Sequence, residues 1–270
     1  MIAFTKMNGA GNDFVVIDNR DRRLQLEPQH IARICERHRG VGADGLLLVE
    51  PPEGPAAARM RYYNSDGGEA EMCGNGARCF ARFVNRLHDN QLPLLRFETL
   101  AGVIEASFQG ELVRVQLSPP STPKLGVSLE AGGQSWEVHS VDTGVPHAVV
   151  VVNDADAVDL ARFGPALRWH SHFSPRGANV NFQQVLAPAS LRVRTFERGV
   201  EAETLACGTG VVANAIIHHQ LTGCPLPVSV AVAGGDSLLV DFTPVASGYD
   251  AVTLTGPAAF VFEGSLASLP

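Results

Sequence analysis

The sequence predicts an α+β protein made of two homologous domains, each a set of short strands around one principal helix. Three observations predict it. Three short motifs recur in the same order at a near-constant offset. Each half carries one clearly helical segment, directly after a cysteine. A proline-rich stretch divides the halves, and 270 residues is a length suited to two modest domains.

The first repeat is Gly11-Asn12-Asp13-Phe14-Val15-Val16 with Gly144-Val145-Pro146-His147-Ala148-Val149, 133 residues on, each a tight turn feeding a β-branched strand. The second pairs Arg39-Gly40-Val41-Gly42 with Arg176-Gly177-Ala178-Asn179 at an offset of 137, a loop ahead of the apolar runs Leu46 to Val49 and Val180 to Val185. The third pairs Cys73-Gly74-Asn75-Gly76-Ala77 with Cys207-Gly208-Thr209-Gly210-Val211, offset 134. Chance rarely puts three such matches in register. After Cys73, Ala77, Phe80, Phe83, Val84 and Leu87 follow helical spacing, with Arg78, Arg82 and Arg86 on another stripe. After Cys207, Val211, Val212, Ala215, Ile216 and His219 do the same. A further helix is predicted from Pro28 to Gly40, with proline at its start and glycine past its end. Pro119, Pro120 and Pro123 interrupt the strand pattern of Leu112 to Leu117, so the domains are expected at 1–117 and 118–257, with a tail of about 258–270 packing on the first.

Composition excludes several classes. With 45% apolar and 18% charged residues the chain is globular, and no apolar run is long enough to span a bilayer. A net charge of −7 with scattered arginines argues against a nucleic-acid surface, so a small-molecule partner is expected. The N-terminal stretch shows no basic segment followed by an apolar core, so a cytoplasmic location is expected. Five cysteines, an odd number, argue against a fully paired disulfide framework.

A Cys-Gly-x-Gly run opening a helix sets sulfur beside backbone N–H groups that lack an intrahelical partner. Those amides and the helix dipole favour a thiolate and can hold an anion such as a carboxylate, which the glycines let approach. Two such helix starts facing one ligand would place a sulfur on each side of an α-carbon. One thiolate then removes the α-proton from one face and the opposite thiol returns a proton to the other, while aligned amides hold the charge developing on the carboxylate. Pyridoxal phosphate, the usual electron sink for this chemistry, needs a Schiff-base lysine; only Lys6 and Lys124 exist, in no phosphate-binding context. No cofactor is therefore expected.

Other signals read as structural. Cys35, Cys79 and Cys224 are expected to be buried apolar residues, and the cysteine spacings lack a zinc pattern. His170, His172, His218 and His219 read as surface or packing residues, with no metal predicted. Gly40-Val41-Gly42-Ala43-Asp44-Gly45 matches G-x-G-x-x-G but follows a helix and precedes a strand, the reverse of the dinucleotide-binding order. Glu197-Arg198 offers either surface charge or a carboxylate-binding arginine. His147 is either a turn residue or an imidazole placed to accept a thiol proton.

On Met7-Asn8-Gly9-Ala10-Gly11-Asn12-Asp13-Phe14, Glu71-Met72-Cys73-Gly74-Asn75-Gly76-Ala77-Arg78, Glu197-Arg198-Gly199 and Ala206-Cys207-Gly208-Thr209-Gly210, the chain resembles the diaminopimelate epimerases over essentially its whole length. The resemblance implies two similar barrel-like sheets, each around a central helix, with Cys73 and Cys207 catalytic and His147 and Glu197 tuning their ionisation. It implies substrate contacts from Asn12, Asn64, Asn179, Glu197 and Arg198 and from the backbone at Gly74-Asn75 and Gly208-Thr209. A homodimer acting on an amino-acid substrate, on the route to lysine and peptidoglycan, is expected with it. Val145 and Gly45 depart from the pattern, where asparagine and glutamine often stand. Two other readings stay open: a proline or hydroxyproline racemase, and a redox-sensing module whose cysteines form a reversible disulfide.

Overall fold

The computed structural model describes residues 1–269, and the chain divides into two units: Met1–Gln116 together with the segment from Thr255 onward, and Leu117–Leu254. Unit 1 runs β1 (Ile2–Gly9), β2 (Asn12–Asp18), α1 (Pro28–Cys35), β3 (Gly45–Glu50), β4 (Ala58–Asn64), β5 (Glu69–Ala70), α2 (Gly74–Leu87), β6 (Leu94–Thr99), β7 (Gly102–Gln109) and β8 (Leu112–Gln116). Unit 2 runs β9 (Lys124–Ala131), β10 (Gln134–Asp142), β11 (Pro146–Val151), α3 (Leu160–Arg168), β12 (Asn179–Ala187), β13 (Ser190–Glu197), β14 (Ala202–Thr204), α4 (Gly208–Thr222), β15 (Val228–Ala231) and β16 (Ser237–Val245). Strand β17 (Gly248–Pro257) carries the chain out of unit 2, and β18 (Ala259–Leu266) then pairs antiparallel with β1, Ile2 opposite Leu266.

The duplication is written in the strand pairing. In unit 1, β1–β2 is antiparallel, β2–β3 parallel, β3–β4 and β4–β5 antiparallel, β4–β6 parallel and β6–β7 antiparallel. Unit 2 repeats this order of senses with β10–β11, β11–β12, β12–β13, β13–β14, β13–β15 and β15–β16. Register corrects the middle sequence repeat. Phe14 lies opposite Gly45 and His147 opposite Asn179, so Gly45 matches Asn179 at an offset of 134, not 137. The loops differ in length while the strands stay aligned: Gly40 precedes β3 by five residues and Gly177 precedes β12 by two.

Each sheet is mixed and wraps one helix. Helix α2 packs on β1, β2, β3, β4, β6, β7 and β8, and α4 packs on β10, β11, β12, β13, β15 and β16. Because α4 is surrounded, Val211 through His218 are all buried, whereas an amphipathic surface helix would expose one stripe. The arginine stripe of α2 is not a solvent face. Arg78 is fully buried and donates to Asn75 Oδ1 (2.9 Å), Gly74 O and Pro257 O, while Arg82 donates to Ala258 O and Arg86 to Glu263 and Thr5 Oγ1. These bonds tie α2 to the returning C-terminal strand.

Helix α1 stops at Cys35, five residues short of the predicted Gly40. Glu36 turns extended, and the N–H groups of Val41 and Gly42 fold back onto Ile34 O. Gly40 is needed for that fold-back, since a Cβ there would stand 2.1 Å from Arg33 O and 2.5 Å from Ile34 O. Helix α3, the unit 2 counterpart of α1, has no sequence prediction because Gly164 and Pro165 break its pattern. Asp159 caps it by accepting from Arg162 N, and Gly164 lets it lie on the Phe196 ring, 2.6 Å from where a Cβ would be. The false dinucleotide motif is the connection from α1 to β3, with Gly42 in the left-handed region at φ +78°.

Candidate functional site

Both cysteines of the repeated motif occupy the position just ahead of their helices, where the backbone is still extended. Cys73 (φ −138°) caps α2, and its sulfur accepts from the N–H of Gly76 at 3.5 Å, as a sulfur at a helix start is expected to. Cys207 (φ −114°) stands in the same place ahead of α4, but its sulfur lies 3.5 Å from Thr209 Oγ1 instead of capping the helix. One motif thus gives two different sulfur environments.

In unit 1, Asn12, Cys73 and Asn75 come together. The Cys73 thiol points at Asn12 Oδ1 (3.6 Å), and Asn75 Nδ2 reaches the same oxygen at 3.4 Å. Asn12 Nδ2 donates to Asp44 Oδ2 at 2.7 Å. Behind Asp44 lies an ionic cluster in which Arg37 bonds both Asp13 and Asp44, and Lys6 bonds Asp13 at 2.7 Å. Burial alone would raise the Asp13 carboxyl, but hydrogen bonds from Arg37 and Lys6 overcome it and hold the group at about 2. Gly74, buried in the first turn, gives its carbonyl to Arg78. Asn64 ends β4 opposite Gly45, and its Oδ1 accepts from the Tyr62 hydroxyl at 2.7 Å. At Gly45 a Cβ would meet Tyr63 O at 2.6 Å and Tyr62 Cε2 at 2.8 Å, so glutamine has no room there without moving both tyrosines.

In unit 2, Cys207, Thr209, His147, Asn179 and Arg198 form one chain of contacts. Thr209 Oγ1 lies 3.5 Å from the sulfur and 3.0 Å from His147 Nε2. His147 is fully buried; that burial, and secondarily the Arg198 charge, lower its imidazole to about 3. It is therefore neutral at pH 7, and the network assigns its tautomer. Asn181 accepts from Thr195 through Oδ1 and donates through Nδ2 to Ala148 O, which turns its remaining N–H to His147 Nδ1 at 3.1 Å. Nδ1 is the acceptor, so Nε2 carries the proton and donates to Thr209. In this arrangement the imidazole is a donor in a line running His147, Thr209, Cys207. Asn179 Oδ1 accepts from Arg198 N at 2.7 Å, leaving Asn179 Nδ2 3.5 Å from the imidazole. Glu197 accepts from Thr204 Oγ1 at 2.7 Å, three residues ahead of Cys207. Gly208 is buried in the first turn of α4, and a Cβ on Gly210 would stand 2.6 Å from Asn181 Oδ1, so glycine lets the His147–Asn181 pair reach the helix.

Asp44 and Asn181 carry these networks and were not singled out from sequence. Asn181 had a signal: it sits two residues after Asn179, on the same face of a buried strand. Asp44 had none beyond its place in the false glycine motif. The remaining cysteines behave as buried apolar residues. Burial pushes the thiols of Cys35 and Cys79 up to about 12 and raises that of Cys224, and none of the five cysteines is in a disulfide. His218 and His219 are spent on carbonyls, at Pro188 O and Cys224 O.

Comparison with known proteins agrees over nearly the full length. A family profile described as diaminopimelate epimerase matches residues 4–122 and 139–261. The chain is 44% identical over 278 aligned positions to a diaminopimelate epimerase of Aquifex aeolicus, covering 97% of each, and 42% identical to one of Archaeoglobus fulgidus, covering 98% and 96%. Among solved structures it is similar to a Bacillus anthracis phenazine biosynthesis protein of the PhzF family, with a TM-score of 0.77 at 18% identity over 99% of each chain. A hydroxyproline epimerase from Agrobacterium vitis gives a TM-score of 0.73 at 17% identity, over 97% and 90% of the chains. Those distant likenesses show the fold alone.

Proposed function

Because the chain belongs to the diaminopimelate epimerase family, we propose that it interconverts LL- and meso-2,6-diaminopimelate, without a cofactor, on the route to lysine and peptidoglycan. Each unit supplies one thiol. Cys73 or Cys207, as thiolate, removes the α-proton, and the other cysteine, as thiol, protonates the opposite face of the planar carbanion. Amides in the first turns of α2 and α4, at Gly74-Asn75 and Gly208-Thr209, receive the carboxylate on which charge develops. His147 acts on Cys207 through Thr209, and Glu197 is held nearby in sequence by Thr204. Asn12, Asn64, Asn179, Glu197 and Arg198 hold the polar groups of the substrate, including its distal amino-acid end. A site built for those groups rejects amino acids that lack them.

The observation that carries this reading is the duplicated cysteine at the start of each central helix, in a chain 44% identical to a diaminopimelate epimerase. The test is a diaminopimelate assay in D₂O, read by mass spectrometry and chiral chromatography. The unsubstituted protein should epimerise the substrate and take up α-deuterium. Cys73→Ser and Cys207→Ser should each abolish epimerisation; full activity in either would reject the two-thiol mechanism, and no exchange in the unsubstituted protein would reject the function.

We also propose a cytoplasmic homodimer. The exposed apolar side chains of Val261 and Phe262 on β18 support self-association, and five cysteines outside any disulfide support a reducing compartment. Among the described residues no helix is long and apolar enough to cross a membrane. Sedimentation should give twice the 28.7 kDa chain mass.

A further inference from the structure

An asparagine amide is nearly symmetric in shape, so its neighbours decide which end faces which partner. At Asn12 they decide it twice over. Asp44 accepts from Arg37 and from the Asp13 N–H, and with the same carboxylate it takes Asn12 Nδ2 at 2.7 Å. From the other side Arg78, which only donates, claims Asn75 Oδ1 at 2.9 Å and so turns Asn75 Nδ2 to Asn12 Oδ1. Both ends leave the Asn12 oxygen facing the Cys73 thiol at 3.6 Å.

We propose that Asp44 is a positioning residue that locks the Asn12 amide with its oxygen toward Cys73, so that the thiol form of Cys73 is held against the helix amide that favours the thiolate. The proposal rests on the reading of Cys73 as an acid–base group. The sulfur accepts from Gly76 N–H at 3.5 Å and donates to Asn12 Oδ1 at 3.6 Å. A group that must both take and return a proton gains from an acceptor for its thiol form beside a donor for its thiolate form. If the Asn12 amide were turned over, an N–H would replace that acceptor at the sulfur and the thiolate would gain.

The ionic cluster behind Asp44 keeps the lock in place. Asp44 Oδ1 accepts from Arg37, its Oδ2 accepts from the N–H of Asp13, and its own N–H donates to Asp13. The charged groups facing it are Asp13 from β2, Arg37 from the turn after α1 and, through Asp13, Lys6 from β1. From α2, Arg78 bonds Asn75 Oδ1, and Arg78 and Cys73 both act electrostatically on the buried thiol of Cys79. Unit 2 has no such lock: register puts Ala178 where Asp44 stands and Val145 where Asn12 stands. Cys207 is therefore an internal control within the same chain.

The test measures iodoacetamide alkylation of Cys73 and Cys207 separately, by peptide mass spectrometry, across pH in the full chain. Asp44→Ala should lower the Cys73 midpoint by roughly half to one pH unit, the size of one lost hydrogen bond. The Cys207 midpoint should stay where it was. Asn12→Ala should give a similar shift, and the double variant should shift no further than either single one. A direct charge effect of Asp44 would instead add fully in the double variant, and that overturns the proposal. So does an unchanged Cys73 midpoint in Asp44→Ala, or an equal movement of Cys207. If Asp44→Ala does not fold, amide NMR on the unsubstituted protein decides. The Asn12 side-chain NH₂ should show stronger Overhauser contacts to the Asp44 β-protons than to those of Cys73, and the reverse pattern overturns the lock. Because alkylation and NMR need no turnover, their failure is separable from failure of the epimerase reading.

Discussion

Replacing His147 by glutamine tests how much acid stability one buried imidazole removes. In the folded chain burial holds His147 at about 3, whereas an exposed imidazole titrates near 6.5. The unfolded chain therefore binds the extra proton between those values, and stability falls as pH drops through that window. The contribution is complete above about pH 6.5 and exhausted below about pH 3. Between pH 7 and pH 5 the shift is worth about 2 kcal/mol of unfolding free energy, and between pH 7 and pH 4 about 3 kcal/mol. Glutamine keeps an amide within reach of Thr209 and Asn181 but does not titrate, so the variant should lose that part of the pH dependence. Urea unfolding at pH 7 and pH 5, followed by circular dichroism, measures both chains. Subtracting the variant's pH difference from the unsubstituted chain's cancels the other titrating groups, including His139, which burial also lowers. A residual difference near 2 kcal/mol supports the argument. A residual within about 0.5 kcal/mol of zero refutes it, since His147 would then be protonated or solvated in the folded chain.

Three further outcomes follow from packing and charge. Asp13→Asn removes the carboxylate that Lys6 and Arg37 share and should cost about 2 kcal/mol at pH 7, read as a lower urea midpoint; in the unsubstituted chain that contribution should disappear as pH falls from 3.8 through about 2. Gly40→Ala places a Cβ against the backbone carbonyls of Arg33 and Ile34, which no side-chain movement relieves, and should destabilise by about 2 to 3 kcal/mol in thermal unfolding. Phe182→Ala empties a fully buried position beside Trp136, 5.6 Å away in an edge contact, and should cost about 3 to 5 kcal/mol with a visible change in tryptophan fluorescence.

The parts of the fold that depend on local pattern were legible in the sequence. The helices after Cys73 and Cys207 and the strands Gly45–Glu50 and Asn179–Ala187 lie where the apolar pattern puts them. Helix α3 was not legible, because what holds Leu160–Arg168 helical is the fit of Gly164 against Phe196, a residue more than thirty positions away. The end of α1 was misread for a related reason: Gly40 marks where the chain folds back over the helix, and the helix itself has already stopped at Cys35. Of the candidate site, the two cysteines were legible because their motif is repeated. The difference between them was not. Asp44, Asn181 and Thr195 act through hydrogen bonds that join separate strands, and no spacing rule encodes which amide end faces which neighbour.

The chain path has a consequence for biosynthesis. Unit 2 is an uninterrupted stretch whose ends are drawn together where Leu117 N–H meets Val252 O, so it can complete its sheet as soon as it emerges from the ribosome. The opening strand has no such luck: its partner Ala259–Leu266 follows only after the whole of unit 2. Until then β1 waits with one edge bare, some 250 residues after it was made, and any early stop that deletes the closing strand leaves that edge open to pairing with another copy.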